Sequence, residues 1–509
     1  MMQNINLFNQ NKYRRQNYDT NDQKYHPKMK RKDKKKHLDL VILSGITMFI
    51  FSGFKSAEHK PNIIIIYTDD QGTLDAGCYG AGDLHTPNID GLSRLGILFT
   101  QAYSHTVSCP SRAALLTGRY PQRFGINDWT QNDAHDQEKG INMPLSEITI
   151  AEVLKANGYQ TAIMGKWHLG GALENGPLEQ GFDTFFGFRG GFIDNYVHYF
   201  LHGQGFHDLW SNNKEIFERG SYFPSLMTEK AIEFIGKNIN RPFFLYAAFN
   251  LPHYPEQPDS LFVPLYSDLN EPRKSYATVI STVDDKIGQI LSKLDELGIR
   301  DNTVVFFMSD NGHSTEETMI KINNHRSGLP KGTDYCAHGG GGYTGKWRGA
   351  KGSFLEGGIR VPAIISYPGH FPENVKRDQT ITCMDFFPTI CEITGSKMPD
   401  CVHDGHSLLP IIESNAPSMY QVLYFQWRDQ WTVREGKWKL IVKGRDTTGK
   451  FSNHIQKEEQ MESPYLANLE DEHPEEHNYA TEHPEIVERL TKLYQKWANN
   501  VNKTNVEKN

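Results

Sequence analysis

One pattern recurs along this chain and limits its fold more than any other. A short apolar run, too short for a helix and rich in β-branched or aromatic residues, ends in a polar cluster. "NIIIIYTDDQG" runs from Asn62 into Asp69 and Asp70, and "YQTAIMGKWHLG" from Tyr159 into Lys166 and His168. "PFFLYAAFNLPHYP" runs from Pro242 into His253, and "TVVFFMSDNGH" from Thr303 into Asp310 and Asn311. Continuous apolar runs of this kind suit strands buried on both faces of a parallel sheet.

Helical patterns lie between them. "ITIAEVLKANG" puts Ile150, Val153 and Leu154 on one face and stops at Gly158. "YATVISTVDDKIGQILSKLDELG" puts Val279, Val283, Ile287, Leu291 and Leu294 on one stripe and stops at Gly298. Alternating strands and helices predict an α/β fold with a doubly wound, mostly parallel sheet. Ligands in such sheets bind beyond the carboxyl ends of the strands. All four polar clusters fall at those ends, which predicts one shared site.

After about residue 400 the texture changes. "QVLYFQWRDQWTVREGKWKLIVK" (Gln421–Lys443) alternates as antiparallel strands do, and "PEIVERLTKLYQKWANNV" (Pro484–Val501) reads as an amphipathic helix. The expected layout is a catalytic domain over 58–400 and a smaller α+β subdomain over 401–509.

The N-terminus is of another kind. A polar stretch over residues 1–28 leads into "MKRKDKKKH" (Met29–His37), the apolar "LDLVILSGITMFIFSGF" (Leu38–Phe54), and then Ser56-Ala57. Positive run, apolar run and small residues are the layout of a secretory signal, of usual length when counted from Met29. This predicts a periplasmic or extracellular protein, with residues 1–57 as polar extension and signal. Left uncleaved, the apolar run would anchor the chain to a membrane. Residues 1–57 carry 12 Lys+Arg and 4 Asp+Glu, a net of +8, which leaves −15 for the rest of a chain totalling −7. A remainder this acidic argues against nucleic acid as a partner, so any anion must be held by a local cationic site. The six cysteines, Cys78, Cys109, Cys336, Cys383, Cys391 and Cys401, form no CxxC pair, which argues against a zinc or iron–sulfur site.

Asp69, Asp70, Asp310 and Asn311 offer hard oxygen ligands from two strand ends, a donor set that favours calcium or magnesium. A single Asp pair would more often just cap a turn; two at matching strand ends point to a metal. The stretch "TVSCPSR" (Thr106–Arg112) sets two nucleophile types, Ser108 and Cys109, side by side. "PSRAALLTG" suits a short helix with Pro110 in the first turn and Gly118 as the stop. Ser108 would then precede the helix, facing free N–H groups and the positive end of the dipole. That seat suits an anionic tetrahedral group, though a plain serine cap is the common alternative. Arg112, one turn on, can reach back toward it. Lys166, His168, His253 and Lys351, the last in the Gly-rich "RGAKGSFLEGGIRVP", would add cations and proton donors. Together these make a site for an ester of a strong tetrahedral oxyacid.

"SCPSRAALLTGRYPQRFG", "GKWHLGG" and "RGAKGSFLEGGIRVP" resemble the signature segments of the formylglycine-dependent sulfatases, members of the alkaline phosphatase superfamily. "IIIIYTDDQG", "TPNIDGLSRLGILFTQAY", "MSDNGH" and the closing "LANLEDEHPEEHN" (Leu466–Asn478) are similar to further landmarks of that family, over roughly residues 60–500. The resemblance implies an alkaline-phosphatase-like fold and a sulfuric ester hydrolase acting on sulfated carbohydrates. It places Ser108, not Cys109, at the position oxidised to formylglycine, as in the serine-type bacterial sulfatases, whose maturation partner is a radical enzyme. It implies one calcium ion held by Asp69, Asp70, Asp310, Asn311 and the modified Ser108. Arg112 and Lys166 would stabilise formylglycine, His168 would hold its hydrate, and His253 and Lys351 would bind sulfate and assist the leaving oxygen. The hydrate has two hydroxyls, one to attack sulfur and one to drive sulfate elimination, which splits one hard displacement into two easier steps.

Two other readings compete. A phosphoesterase of the same superfamily would use unmodified Ser108, but two-metal phosphatases need more ligands, histidines included. A glycan-binding pseudoenzyme would not need every motif residue. His313 could touch substrate, His338 with Gly339–Tyr343 could form a flexible rim, and Trp427 and Trp431 are expected to pack in a core more than to stack on sugar.

Overall fold

The computed structural model describes residues 60–130, 140–448 and 459–506; the signal-like segment lies outside them. Residues 56–509 make one compact unit, so the boundary near residue 400 falls inside it.

The strands follow the sequence pattern. The large sheet takes β1 (Asn62–Asp69), β2 (Ile97–Tyr103), β3 (Gln160–Lys166) and β4 (Thr184–Phe188). β5 (Tyr199–Phe200) and β6 (Phe206–His207) pair only with each other. The sheet continues with β7 (Trp210–Ser211), β8 (Lys214–Glu215), β9 (Phe243–Pro252), β10 (Thr303–Ser309), β11 (Arg360–Ser366) and β12 (Val375–Thr382). The order across it is β12-β2-β11-β10-β1-β9-β3-β4-β7-β8. β1 pairs in parallel with β9 and β10, and all eight of its residues are buried. That is the two-faced burial its isoleucine run requires.

Helices cover both faces. α1 (Pro87–Arg94), α2 (Ser108–Thr117), α3 (Ile150–Ala156), α4 (Phe223–Lys237), α5 (Arg273–Glu296), α6 (Glu356–Ile359) and α7 (Phe386–Thr394) precede the second sheet. α3 starts at a capping box in which Thr149 accepts from Glu152 N–H and Glu152 accepts from Thr149 N–H. One core holds α2, α3 and α7, and another holds α4 and α5.

β11 runs antiparallel to β10, and β2 antiparallel to β11. The entry to β11 therefore lies at the same edge as the exits of β10 and β2. This reversal is what lets the loop before β11, with Lys351, meet the helix after β2, with Ser108.

The C-terminal part holds α8 (Leu409–Ser414) and the antiparallel sheet β13 (Val422–Trp427), β14 (Gln430–Glu435), β15 (Trp438–Val442) and β18 (Tyr465–Asn468). A two-residue ribbon, β16 (Arg445–Asp446) with β17 (Glu459–Gln460), precedes β18, and α9 (Pro484–Val506) follows it. Trp431 stacks flat on Tyr494 of α9 with centroids 3.9 Å apart, and Trp427 is 2% exposed against Trp129, so both pack as expected. All six cysteines are free thiols. No described helix is long and apolar enough to cross a membrane.

Candidate active site

The four strand ends meet at one place. Asp69 closes β1, and Asp70 follows it in the left-handed region (φ 63). The β1–β9 register slips after Tyr67, so Asp69 sits opposite Pro252 and its carbonyl accepts the His253 N–H at 2.9 Å. Asp310 and Asn311 leave β10, and Gly312 follows them. A Cβ on Gly312 would stand 1.8 Å from the Gly357 carbonyl, so only glycine lets this turn lie against α6.

Ser108 is the first residue of α2, with Val107 as the cap, one position further into the helix than the sequence suggested. Its Oγ donates to Asp69 Oδ1 at 3.2 Å and to Asn311 Oδ1 at 3.4 Å. Lys166 Nζ reaches the same Oγ at 3.4 Å while bonding Asp69 Oδ2 at 2.6 Å. Arg112 does not bond Ser108; its Nη2 donates to Asp310 Oδ2 at 2.8 Å and lies 3.7 Å from Asp69 Oδ1. Lys351 Nζ donates to Asp70 Oδ2 at 2.9 Å. Cys109 points away, toward Thr130, and burial pushes its thiol up to about 11. The protonated thiol is a packing group, not a nucleophile.

The acids are crowded. Asp69, Asp70, Asp310 and Asn311 are at most 1% exposed. Burial and the neighbouring Asp69 raise Asp310, and burial pushes Asp70 up to about 7 despite Lys351. Burial would raise Asp69 too, but Lys166 and Arg112 hold it below the usual carboxylate range. Asn311 Nδ2 donates to Asp70 Oδ1 and the Gly312 carbonyl, which leaves its oxygen turned toward Ser108. An oxygen-rich set of like charges in one buried spot fits a hard divalent cation. The tightest grouping joins Asp69, Asp70 and His253, each with a ligand atom within 4.8 Å of the others. The sequence reading gives His253 sulfate binding and assistance to the leaving oxygen, not a place among the metal ligands. Asp310 has both oxygens engaged, by Asp70 N–H at 3.1 Å and by Arg112.

Burial lowers the histidines nearest the acids. His253 Nδ1 lies 2.6 Å from the Tyr254 carbonyl, which assigns the proton to Nδ1 and leaves Nε2 facing Asp70 Oδ2 at 3.6 Å. Burial, then Lys351 and Lys166, hold this ring far below the ordinary histidine value. His168 (φ 53) is 2% exposed with both ring nitrogens unpartnered, and burial with nearby Lys166 keeps it uncharged. His313 is buried under Gly342 and pushed down to about 4; its carbonyl accepts the Lys351 N–H. The Gly339–Tyr343 stretch is pinned: Arg273 donates to the Gly341 carbonyl at 2.7 Å and Asp75 accepts Tyr343 N–H.

Some residues here carried no signal in the sequence. Tyr246, mid-strand in β9, takes a bond from Arg112 Nη1 at 3.3 Å. Tyr276, in α5, accepts Gly72 N–H and reaches the Asp70 carbonyl at 3.3 Å. Neither stands at a strand end, where the sequence pattern directs attention.

The sulfatase family model matches residues 61–396, across this whole site. The chain belongs to the sulfatase family. A second model, described as the C-terminal part of N-sulphoglucosamine sulphohydrolase, matches residues 349–502. The N-acetylgalactosamine-6-sulfatase of Mus musculus is 34% identical over 418 residues, spanning 79% of this chain and 74% of its own. Arylsulfatase A of Homo sapiens is 30% identical over 485 residues, spanning 86% of this chain and 88% of its own. The crystal structure of Ps i-CgsB in complex with k-i-k-neocarrahexaose matches with a TM-score of 0.72 at 28% identity, covering 86% of this chain and 93% of that one. The fold is alkaline-phosphatase-like, and this sulfatase is a sulfuric ester hydrolase.

Proposed function

We propose that this sulfatase is exported and removes O-sulfate groups from sulfated carbohydrates, using formylglycine made from Ser108 by a transiently bound radical maturase, and calcium. Export is supported by the basic, apolar and small-residue order of residues 29–57. Carbohydrate is supported by an N-acetylgalactosamine-6-sulfatase among the relatives and by the oligosaccharide in the Ps i-CgsB complex. The observation that carries the reading is the position of Ser108 Oγ, 3.2 Å from Asp69 Oδ1, 3.4 Å from Asn311 Oδ1 and 3.4 Å from Lys166 Nζ.

Formylglycine, once formed, would supply a hydrated carbonyl as nucleophile at position 108. Calcium, held by Asp69, Asp70, Asp310, Asn311 and residue 108, would supply charge for the sulfate oxygens. The chain's own groups do the rest. Lys166 and Arg112 keep Asp69 ionised and fix Asp69 and Asp310 in place. Lys351, kept charged by Asp70 and Glu316 against the pull of burial, offers an ammonium to an incoming anion. Burial is the main cause that keeps His253 uncharged, with Lys351 and Lys166 adding to it; a bound anion would offset the lysine part and favour a proton on Nε2. The ring can then return the proton to the leaving oxygen. His168, whose ring nitrogens are unpartnered and which feels Lys166, Arg112 and Lys351, would hold the hydroxyls of residue 108.

The test is sulfate release, read by ion chromatography, from N-acetylgalactosamine 6-sulfate, galactose 6-sulfate, N-acetylglucosamine 6-sulfate and carrageenan oligosaccharides. Release from at least one, lost on chelation and restored by calcium, is expected. No release from any, or faster cleavage of the matching phosphate esters, would overturn the proposal.

A further inference from the structure

The mechanism uses the next carboxylate outward from Asp70 only to help keep Lys351 charged. Glu316 lies in the segment after Asn311, and its Oε2 stands 3.6 Å from Lys351 Nζ, the same ammonium that Asp70 binds at 2.9 Å. The Lys351 side chain is 8% exposed and that of Glu316 is 44% exposed, so the carboxylate stands between the buried lysine and solvent. It is held in place. Ser314 Oγ donates to Glu316 Oε2 at 3.2 Å, and Glu316 N–H donates back to Ser314 Oγ at 3.2 Å.

Lys351 offsets part of this negative charge, but its one ammonium is shared with Asp70, which it binds more closely. Half-buried His202 is lowered by burial and stays neutral, and Lys321 is exposed to solvent and screened. A carboxylate offers about four lone-pair directions, more than these donors fill. Hydroxyl donors on a sugar ring would make strong, charge-assisted bonds to it. A second sulfate or a carboxylate on the same ring would meet a fixed like charge.

We propose that Glu316 selects the substrate: a sugar whose ring carries hydroxyl donors, and no second anion, beside the sulfate ester that is cut. This rests on the sulfatase reading above and adds the chemical class of the ring.

The experiment takes the monosulfated saccharide with the highest kcat/KM in the panel above and the same saccharide bearing a second sulfate on the adjacent hydroxyl. Both are assayed with the wild type, Glu316→Gln and Glu316→Asp. The wild type is expected to favour the monosulfated compound by about tenfold or more, mainly through KM. Glu316→Gln should bring the two within about threefold, and Glu316→Asp, which keeps the charge, should retain the preference. A general loss of structure would lower both substrates alike and leave the ratio intact. No sulfate release by the wild type from any compound sinks the sulfatase reading. Release with no wild-type preference, or with a preference that survives Glu316→Gln, overturns this inference alone.

Discussion

The end of the central sheet and the seam between the two sheets both bury a set of opposite charges, and they differ in how those charges are satisfied. At the seam, Lys439, fully buried, donates to Glu356 Oε1 and to Glu475 Oε1, each at 2.9 Å. Arg360 Nε and the Tyr103 hydroxyl donate to Glu356 Oε2 at 2.7 and 2.6 Å, and both Glu475 oxygens accept the Glu356 N–H. Each acceptor faces a donor. Burial alone would raise Glu356, but Lys439 and Arg360 hold it well below the usual range, while burial and the neighbouring Glu356 raise Glu475; every oxygen of the pair still has a donor. At the sheet end Asp69, Asp70 and Asp310 crowd together, Asp70 is pushed up to about 7, and neither ring nitrogen of His168 has a partner. The first arrangement is complete and joins β11 to the closing segment. The second is incomplete, and on the proposed function a ligand cation and an anionic ester would supply what it lacks.

The sharpest way to break this comparison is to remove one group from each cluster. Ser108→Ala should abolish turnover and leave the melting temperature unchanged, because Ser108 contributes chemistry and little packing. A melting temperature that falls along with activity would make the two clusters alike. Lys439→Met should do the opposite. It leaves two buried carboxylates without their ammonium, a change that costs about 3–5 kcal/mol. Denaturant unfolding reads that loss, and sulfate release by the folded fraction should persist.

The smallest effect concerns a pair between these extremes, half-exposed His338 with buried Glu256, 3.2 Å apart. The bond to Glu256 raises His338 from 6.5 to about 8. The folded value is above the unfolded one, so the pair's stabilisation is full below about 6.5 and is lost as pH rises through about 8. The wild type should therefore lose more melting temperature between those pH values than His338→Gln does. Equal slopes would show that the pair adds nothing.

The contrast also explains what the sequence could show. Asp69, Asp70, Asp310, Asn311, Lys166 and His253 were legible because each terminates a strand, where a parallel sheet gathers its ligands. Lys351 needed more: the reversal of β11 that brings its loop to this edge does not show in an apolar run. Lys439 looked like one polar position in an alternating strand, and Glu475 one acid among many in "LEDEHPEEH". Their pairing depends on two sheets meeting, a non-local fact that composition and periodicity do not carry. Glu316 is hidden for the same reason, in a loop without pattern. The one-residue offset of Ser108, from helix cap to first helical residue, is a boundary error of the usual size. The choice of Ser108 over Cys109 rests on the family resemblance; in the structure one side chain meets Asp69, Asn311 and Lys166, and the other meets Thr130.

Peptide mass spectrometry across Thr106–Arg112, on active enzyme from the native host, tests the central claim most directly. The account predicts residue 108 two hydrogens lighter than serine and reactive toward a carbonyl reagent, with Cys109 unmodified. Fully active enzyme with an intact serine at 108 would contradict it.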